Sequence, residues 1–124
     1  MPLLFRQAQV FNQTRSLSLA TELALADSPW SRLRGLLGSS PSDFRNGRAL
    51  WIVPCRGVHT LGMGFPIDVV YLDRDQQVVH LEADLKPWRF APVRLQAASV
   101  LEFPRQSIAR TGTVIGDKIE IRLD

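Results

Sequence analysis

One cysteine, one tyrosine, two histidines and two methionines are all that this chain of 124 residues holds of those types. The lone Cys55 excludes an internal disulfide framework. No apolar run approaches the roughly 18 residues of a membrane helix, so no membrane span is expected. Arg6 and Gln7 stand where a signal peptide would carry its apolar segment, and a cytoplasmic domain is the expectation. Lysine is nearly absent: only Lys86 and Lys118 occur, against thirteen arginines. The arginines are scattered, with no basic block and no nucleic-acid motif, which argues against a nucleic-acid partner. There is no Walker loop, no G-x-G-x-x-G, no H-E-x-x-H and no G-x-S-x-G. No cofactor is therefore expected. No internal repeat, low-complexity stretch or linker divides the chain, so residues 1–124 read as one domain.

The composition is that of a globular protein. Apolar residues make up 45% and charged residues 22%, which excludes a disordered tail. The net charge of +3 is uneven. Residues 1–62 carry seven arginines against three acids, and residues 63–124 carry eight bases against nine acids. A basic half attracts anions.

Gly and Pro punctuate the chain often, and the apolar stretches between them are short, a β pattern. Strands are expected at Leu3–Phe11, Ala49–Val53, Ile67–Leu72, Val78–Leu85, Ala98–Phe103 and around Ile119–Leu123. Leu17, Leu19, Thr21 and Leu23 share a face if extended, although that stretch also suits a helix start. Val79, Leu81 and Ala83 are expected on one face of a hairpin strand. Ser28 and Pro29 have the chemistry of a helix start. Trp30, Leu33, Leu36 and Leu37 follow at helical spacing, with Gly35 inside the helix and Gly38 and Pro41 ending it. Residues 39–48 are polar and read as a loop, and Gln106–Arg110 as a helical turn before Gly112. The expected fold is mainly β: a compact antiparallel barrel or sandwich of six or seven strands with one or two short helices.

The chemistry-bearing residues crowd into 51–68, between two apolar strands. Cys55, His59 and Met63 are spaced C-x3-H-x3-M, close to the ligand loop of a copper site, but a second upstream histidine is missing. The simpler reading makes Met63 core and Cys55 a small buried residue. Cys55, His59 and Asp68 also offer a thiol, a base and an orienting acid. On an extended strand Cys55 and His59 would stand about 13 Å apart, so a turn at Gly57 is needed to join them. The simpler reading of His59 is a hydrogen-bonded structural histidine. Asp68, at the mouth of a buried strand, is expected to bond loop amides or to pair with Arg34 or Arg56. Glu102 has core neighbours on both sides and is read as facing solvent or a cleft. Trp30, Trp51, Trp88 and Phe90 line a groove or fill the core.

Several of these segments resemble the DUF192 family in order and spacing. They are Arg34-Gly35-Leu36-Leu37, His59 through Asp73, Val78-Val79, Pro87-Trp88, Val100-Leu101-Glu102 and Gly116-Asp117. The likeness covers about residues 16–123, leaving 1–15 as an N-terminal strand extension. Its most specific part is Pro66-Ile67-Asp68-Val69-Val70-Tyr71-Leu72-Asp73. The resemblance implies a small, mainly β domain found largely in bacteria and archaea, with no established activity and no catalytic residue set. Members carry Trp-Met-x-Asn-Thr where this chain has His59 to Met63. A site common to the family would therefore rest on Arg34, Asp68 and Glu102. The first expectation is a non-enzymatic binding domain, holding a small polar ligand or a protein partner at a cleft near Arg34, Cys55, His59, Asp68 and Glu102. The alternatives are a hydrolytic or thiol-transfer enzyme using Cys55 and His59, and a metal site at Cys55, His59 and Met63.

Overall fold

A computed structural model describes residues 3–124. The elements are β1 (Arg6–Asn12), β2 (Leu17–Ala26), α1 (Pro29–Arg34), β3 (Arg48–Ile52), β4 (Ile67–Leu72), β5 (Val78–Leu85), β6 (Ser99–Pro104), α2 (Ser107–Thr111) and β7 (Ile119–Leu123). The fold is mainly β, with seven strands in one sheet of order β5-β4-β6-β3-β2-β1-β7. All neighbours are antiparallel except β2 and β3, which run parallel from Glu22 beside Arg48 to Ala26 beside Ile52. A parallel pair cannot be joined by a hairpin and needs a crossover. Residues 27–47 supply it, and α1 lies within that crossover.

Side chains alternate across each strand, so the sheet carries two apolar faces. Leu50, Ile52, Val69, Tyr71 and Val100 belong to the first face. Ala49, Val70, Leu72, Leu101 and Phe103 belong to the second. Every residue of β4 is buried, as are the first five of β6. A strand covered on both sides needs a nearly continuous apolar run, which Ile67–Leu72 provides apart from Asp68.

Three segments cover the first face. The crossover contributes Leu36 and Phe44, the loop 53–66 contributes Met63 and Phe65, and the loop 86–98 contributes Ala91 and Ala97. The two loops are stitched together by Thr60 N–H to Arg89 O (2.8 Å), Ala91 N–H to Val58 O (2.8 Å) and Arg94 N–H to Arg56 O (2.9 Å). Tyr71 anchors them to the sheet by donating its hydroxyl to Pro92 O at 2.6 Å. The second face is sealed by Ile108 of α2.

The sheet curls until its two edge strands meet at one end. Gln77 and Lys118 form an isolated bridge there, and Val78 N–H donates to Asp117 O at 2.8 Å. No ladder continues from that contact, so the sheet is not closed into a barrel.

Two local expectations are corrected. The helix ends at Arg34, and Gly35 is its cap rather than an interior residue, with φ of 51° and ψ of −127°. Glycine alone takes that conformation without strain. The start is as expected: the Ser28 side chain accepts from Ser31 N–H, and Ser31 answers with a bond from Ser28 N–H. In β5, Val79 packs on the first face and Leu81 on the second. The register against β4 slips between Tyr71 and Leu72, so the extra residue breaks the alternation that placed Val79, Leu81 and Ala83 together.

Candidate functional site

Glu102 stands in the middle of β6, opposite Leu50 on β3 and Val69 on β4. Its neighbours Leu101 and Phe103 point into the second face, so alternation sends Glu102 to the first. The residue is 2% exposed, and its Oε1 has no hydrogen-bond partner among the described residues. Burial disfavours the charged form and pushes the Glu102 carboxyl up to about 8. At neutral pH the group is therefore a carboxylic acid, with one hydrogen to donate and oxygens to accept.

Above this acid lies a cleft of about 420 Å³. One wall is the end of α1, with Leu33, Arg34 and Gly35. The other is the loop after β3, with Cys55, Arg56 and His59. Glu102 and Ile52 are the sheet residues lining it, and Arg32 stands at its side. The structure thus gathers four of the five expected residues: Arg34, Cys55, His59 and Glu102. A Cβ on Gly35 would come 3.9 Å from Oε1 of Glu102, so bare backbone lies over the acid.

The charges around the cleft do not balance. Among the described residues, none of the seven ion pairs involves Arg32, Arg34 or Arg56. Arg32 donates from Nη1 to Pro54 O at 3.1 Å, and Arg56 donates from Nε to Ala97 O at 3.3 Å. Those bonds fix the side chains and leave other N–H groups of each guanidinium for a ligand. Among the described residues the one acid lining the cleft is Glu102, which is neutral at neutral pH. The site is an electropositive recess with a hydrogen-bonding acid at its base.

Cys55 and His59 line the same cleft but are separately engaged. Cys55 Sγ donates to Gly57 O at 3.1 Å. Burial pushes the Cys55 thiol above its ordinary value, and the nearby Glu102 acts in the same direction. An activated nucleophile needs the opposite shift. His59 Nδ1 accepts from Leu61 N–H at 3.2 Å, which leaves the ring proton on Nε2, and the ring packs against Phe90 with centroids 6.4 Å apart.

Asp68 is not in the cleft. It points to the second face, where its carboxylate accepts Asp84 N–H at 2.9 Å and Ile108 N–H at 2.8 Å. It bonds loop amides, one of its two expected roles, and pairs with neither Arg34 nor Arg56. Met63 is 6% exposed in the first-face cluster, beneath the loop rather than in the cleft. Among the described residues no three His, Cys, Asp or Glu side chains gather to hold a metal ion. Trp51 packs on the second face. Trp30, Trp88 and Phe90 are not core: they are 70%, 64% and 74% exposed. No helix among the described residues is long and apolar enough to cross a membrane.

Sequence reasoning missed Arg32 and the role of Gly35. The signal for Gly35 was its place beside Arg34, one residue beyond the last helical turn. Nothing in the spacing pointed to Arg32.

The chain resembles two curated archaeal proteins. It is 31% identical over 116 residues to the UPF0127 protein of Pyrococcus furiosus, covering 90% of this chain and 96% of that one. It is 30% identical over 116 residues to the UPF0127 protein of Pyrococcus horikoshii, with the same coverage. A crystal structure of a protein of unknown function from Novosphingobium aromaticivorans superposes with a TM-score of 0.76 at 19% identity. That match covers 95% of this chain and 86% of the other, and at such identity it shows the shared fold alone. The family model described as uncharacterized ACR matches residues 10–121, and the chain belongs to that family, DUF192.

Proposed function

We propose that the protein is a non-enzymatic binding domain whose cleft takes a small, polar, negatively charged ligand. One observation carries this reading: the unpartnered Oε1 of the buried Glu102 at the base of the cleft. A buried polar group left without a partner costs about 1–3 kcal/mol. A ligand that donates to Oε1 or accepts the acid's proton removes that cost. Amides, hydroxyls and carboxyls have this chemistry. Arg32 and Arg56 favour a ligand that also carries negative charge, whereas the Arg34 guanidinium reaches Gly38, on a neighbouring recess. Exposed Leu33, at 62%, gives the cleft an apolar edge. The protonated, hydrogen-bonded thiol of Cys55 favours recognition over nucleophilic chemistry.

The test is retention of a small molecule. The protein and its Glu102→Leu variant are incubated with the small-molecule fraction of a bacterial extract, dialysed, denatured and analysed by mass spectrometry. The wild-type protein is expected to retain an anionic molecule that the variant loses. Equal retention by both, or none by either, contradicts the reading.

A further inference from the structure

A second cavity, of about 800 Å³, adjoins the Glu102 cleft and shares Arg32, Pro54, Cys55 and Arg56 with it. Its far side is formed by Arg74, in the turn between β4 and β5, and by residues 95–98. Three arginines therefore line one recess, and among the described residues no acid lines it. None of the three is in an ion pair among the described residues. The acids flanking Arg74 in sequence are Asp73 and Asp75. Asp73 Oδ1 is committed to its own turn, accepting Asp75 N–H and Gln77 N–H, each at 2.9 Å. Neither acid lines the cavity.

We propose that this cavity is a phosphate subsite and that the ligand of the protein is a phosphorylated small molecule. Its phosphoryl group is held by Arg32, Arg56 and Arg74, and its far end hydrogen-bonds Glu102. This deepens, and rests on, the reading of the Glu102 cleft as a ligand site. Three uncompensated positive charges exceed what one carboxylate neutralises, whereas a phosphate monoester carries nearly two negative charges at neutral pH. The guanidinium fork also matches phosphate oxygens two at a time. Arg32 and Arg56 are already oriented by their bonds to Pro54 O and Ala97 O, which lowers the entropy lost on binding. Cys55 lines both cavities, so a ligand that spans them passes over its sulfur.

The test uses phenyl phosphate and, as a matched carboxylate, benzoate, each titrated into the labelled full-length protein while amide resonances are followed. Phenyl phosphate is expected to shift the resonances of residues 55–57 and 96–98 and to bind at least tenfold more tightly than benzoate. Arg56→Ala and Arg74→Ala are each expected to weaken phenyl phosphate at least tenfold. Arg122→Ala, in a surface pair with Glu120, is expected to leave it unchanged. Arg74 is exposed in a turn, and an unaltered amide spectrum elsewhere checks that its variant is folded. Equal affinity for benzoate, shifts confined to other surfaces, or wild-type binding by both arginine variants overturns the proposal. If the extract molecule still depends on Glu102 while phenyl phosphate fails, the phosphate subsite alone is wrong. If phenyl phosphate binds through the arginines but no retained molecule depends on Glu102, the Glu102 reading alone is wrong.

Discussion

Gly35 lies over Glu102: a Cβ added to the glycine would stand 3.9 Å from the unpartnered Oε1 of the acid. The relationship follows from topology. Because β2 and β3 are parallel, the chain must cross the sheet between them, and α1 lies in that crossover. The helix stops at Arg34 because Gly35 takes a positive φ. The chain end of α1 thereby lines the recess above β6.

Glu102 makes stability depend on pH in an unusual direction. Its carboxyl is raised in the native state from 4.5 to about 8, so between those values the native protein holds a proton that the unfolded chain has released. Stability then falls as pH rises, beginning above the unfolded value and levelling off above the native one. The slope from this group is about 1.4 kcal/mol per pH unit. Glu102→Gln removes the titration. Urea denaturation from pH 4 to pH 9 is expected to show the variant gaining on the wild type by several kcal/mol across that window. Parallel curves for the two proteins would contradict the assignment.

Cys55 is expected to be a sluggish thiol. Its rate of alkylation plotted against pH should have a midpoint above the ordinary thiol value of about 8.5, because burial opposes the thiolate. His59→Ala should leave that midpoint in place, since Nδ1 of His59 is bonded to Leu61 N–H and Cys55 Sγ to Gly57 O. A midpoint well below the ordinary value that His59→Ala abolishes would restore the thiol-enzyme reading.

Asp68 is expected to matter to the fold and not to the cleft. Asp68→Ala strands the amides of Asp84 and Ile108, at roughly 1–3 kcal/mol for each one left buried. Asp68→Asn keeps one acceptor oxygen and should recover part of the loss. Both effects are read as shifts of the urea midpoint with an unchanged slope. A wild-type midpoint for Asp68→Ala would show that neither amide depends on it.

The strands were legible where burial on both sides demanded a continuous apolar run or where alternation was clean. Ile67–Leu72 and Val78–Leu85 are observed with the boundaries read from the sequence. The stretch from Leu17 to Leu23, open between strand and helix on its residues, lies in the ten-residue strand Leu17–Ala26 because that strand sits between β1 and β3 in the sheet, a partnership that no local pattern encodes. The parallel β2–β3 pairing was invisible for the same reason. The spacing suggests a longer helix than the observed Pro29–Arg34 because Leu36 and Leu37 continue the spacing of Trp30 and Leu33. In fact Leu36 is buried in the first-face core, while Trp30, Leu33 and Leu37 are exposed.

The site was legible in part. Glu102, between Leu101 and Phe103, is an acid at a core position, and that anomaly marks it in the sequence. Arg34, Cys55 and His59 reach it through the crossover and the loop after β3. Asp68 looked equivalent to Glu102 because both interrupt apolar strands. Pleating decides between them: Asp68 shares a face with Val70 and α2, and Glu102 shares one with Val100. Nearest-neighbour reading cannot assign faces until the register between strands is known.

At neutral pH Glu102 is a neutral acid at the base of an electropositive cleft, its Oε1 without a hydrogen-bond partner among the described residues. Carbon-13 NMR of the Glu102 carboxyl, titrated from pH 4 to pH 10 in the folded protein, tests it directly. A single transition with a midpoint of about 8 is expected. A midpoint near the ordinary glutamate value of about 4.3 would mean that the carboxylate is solvated or paired, and would contradict it.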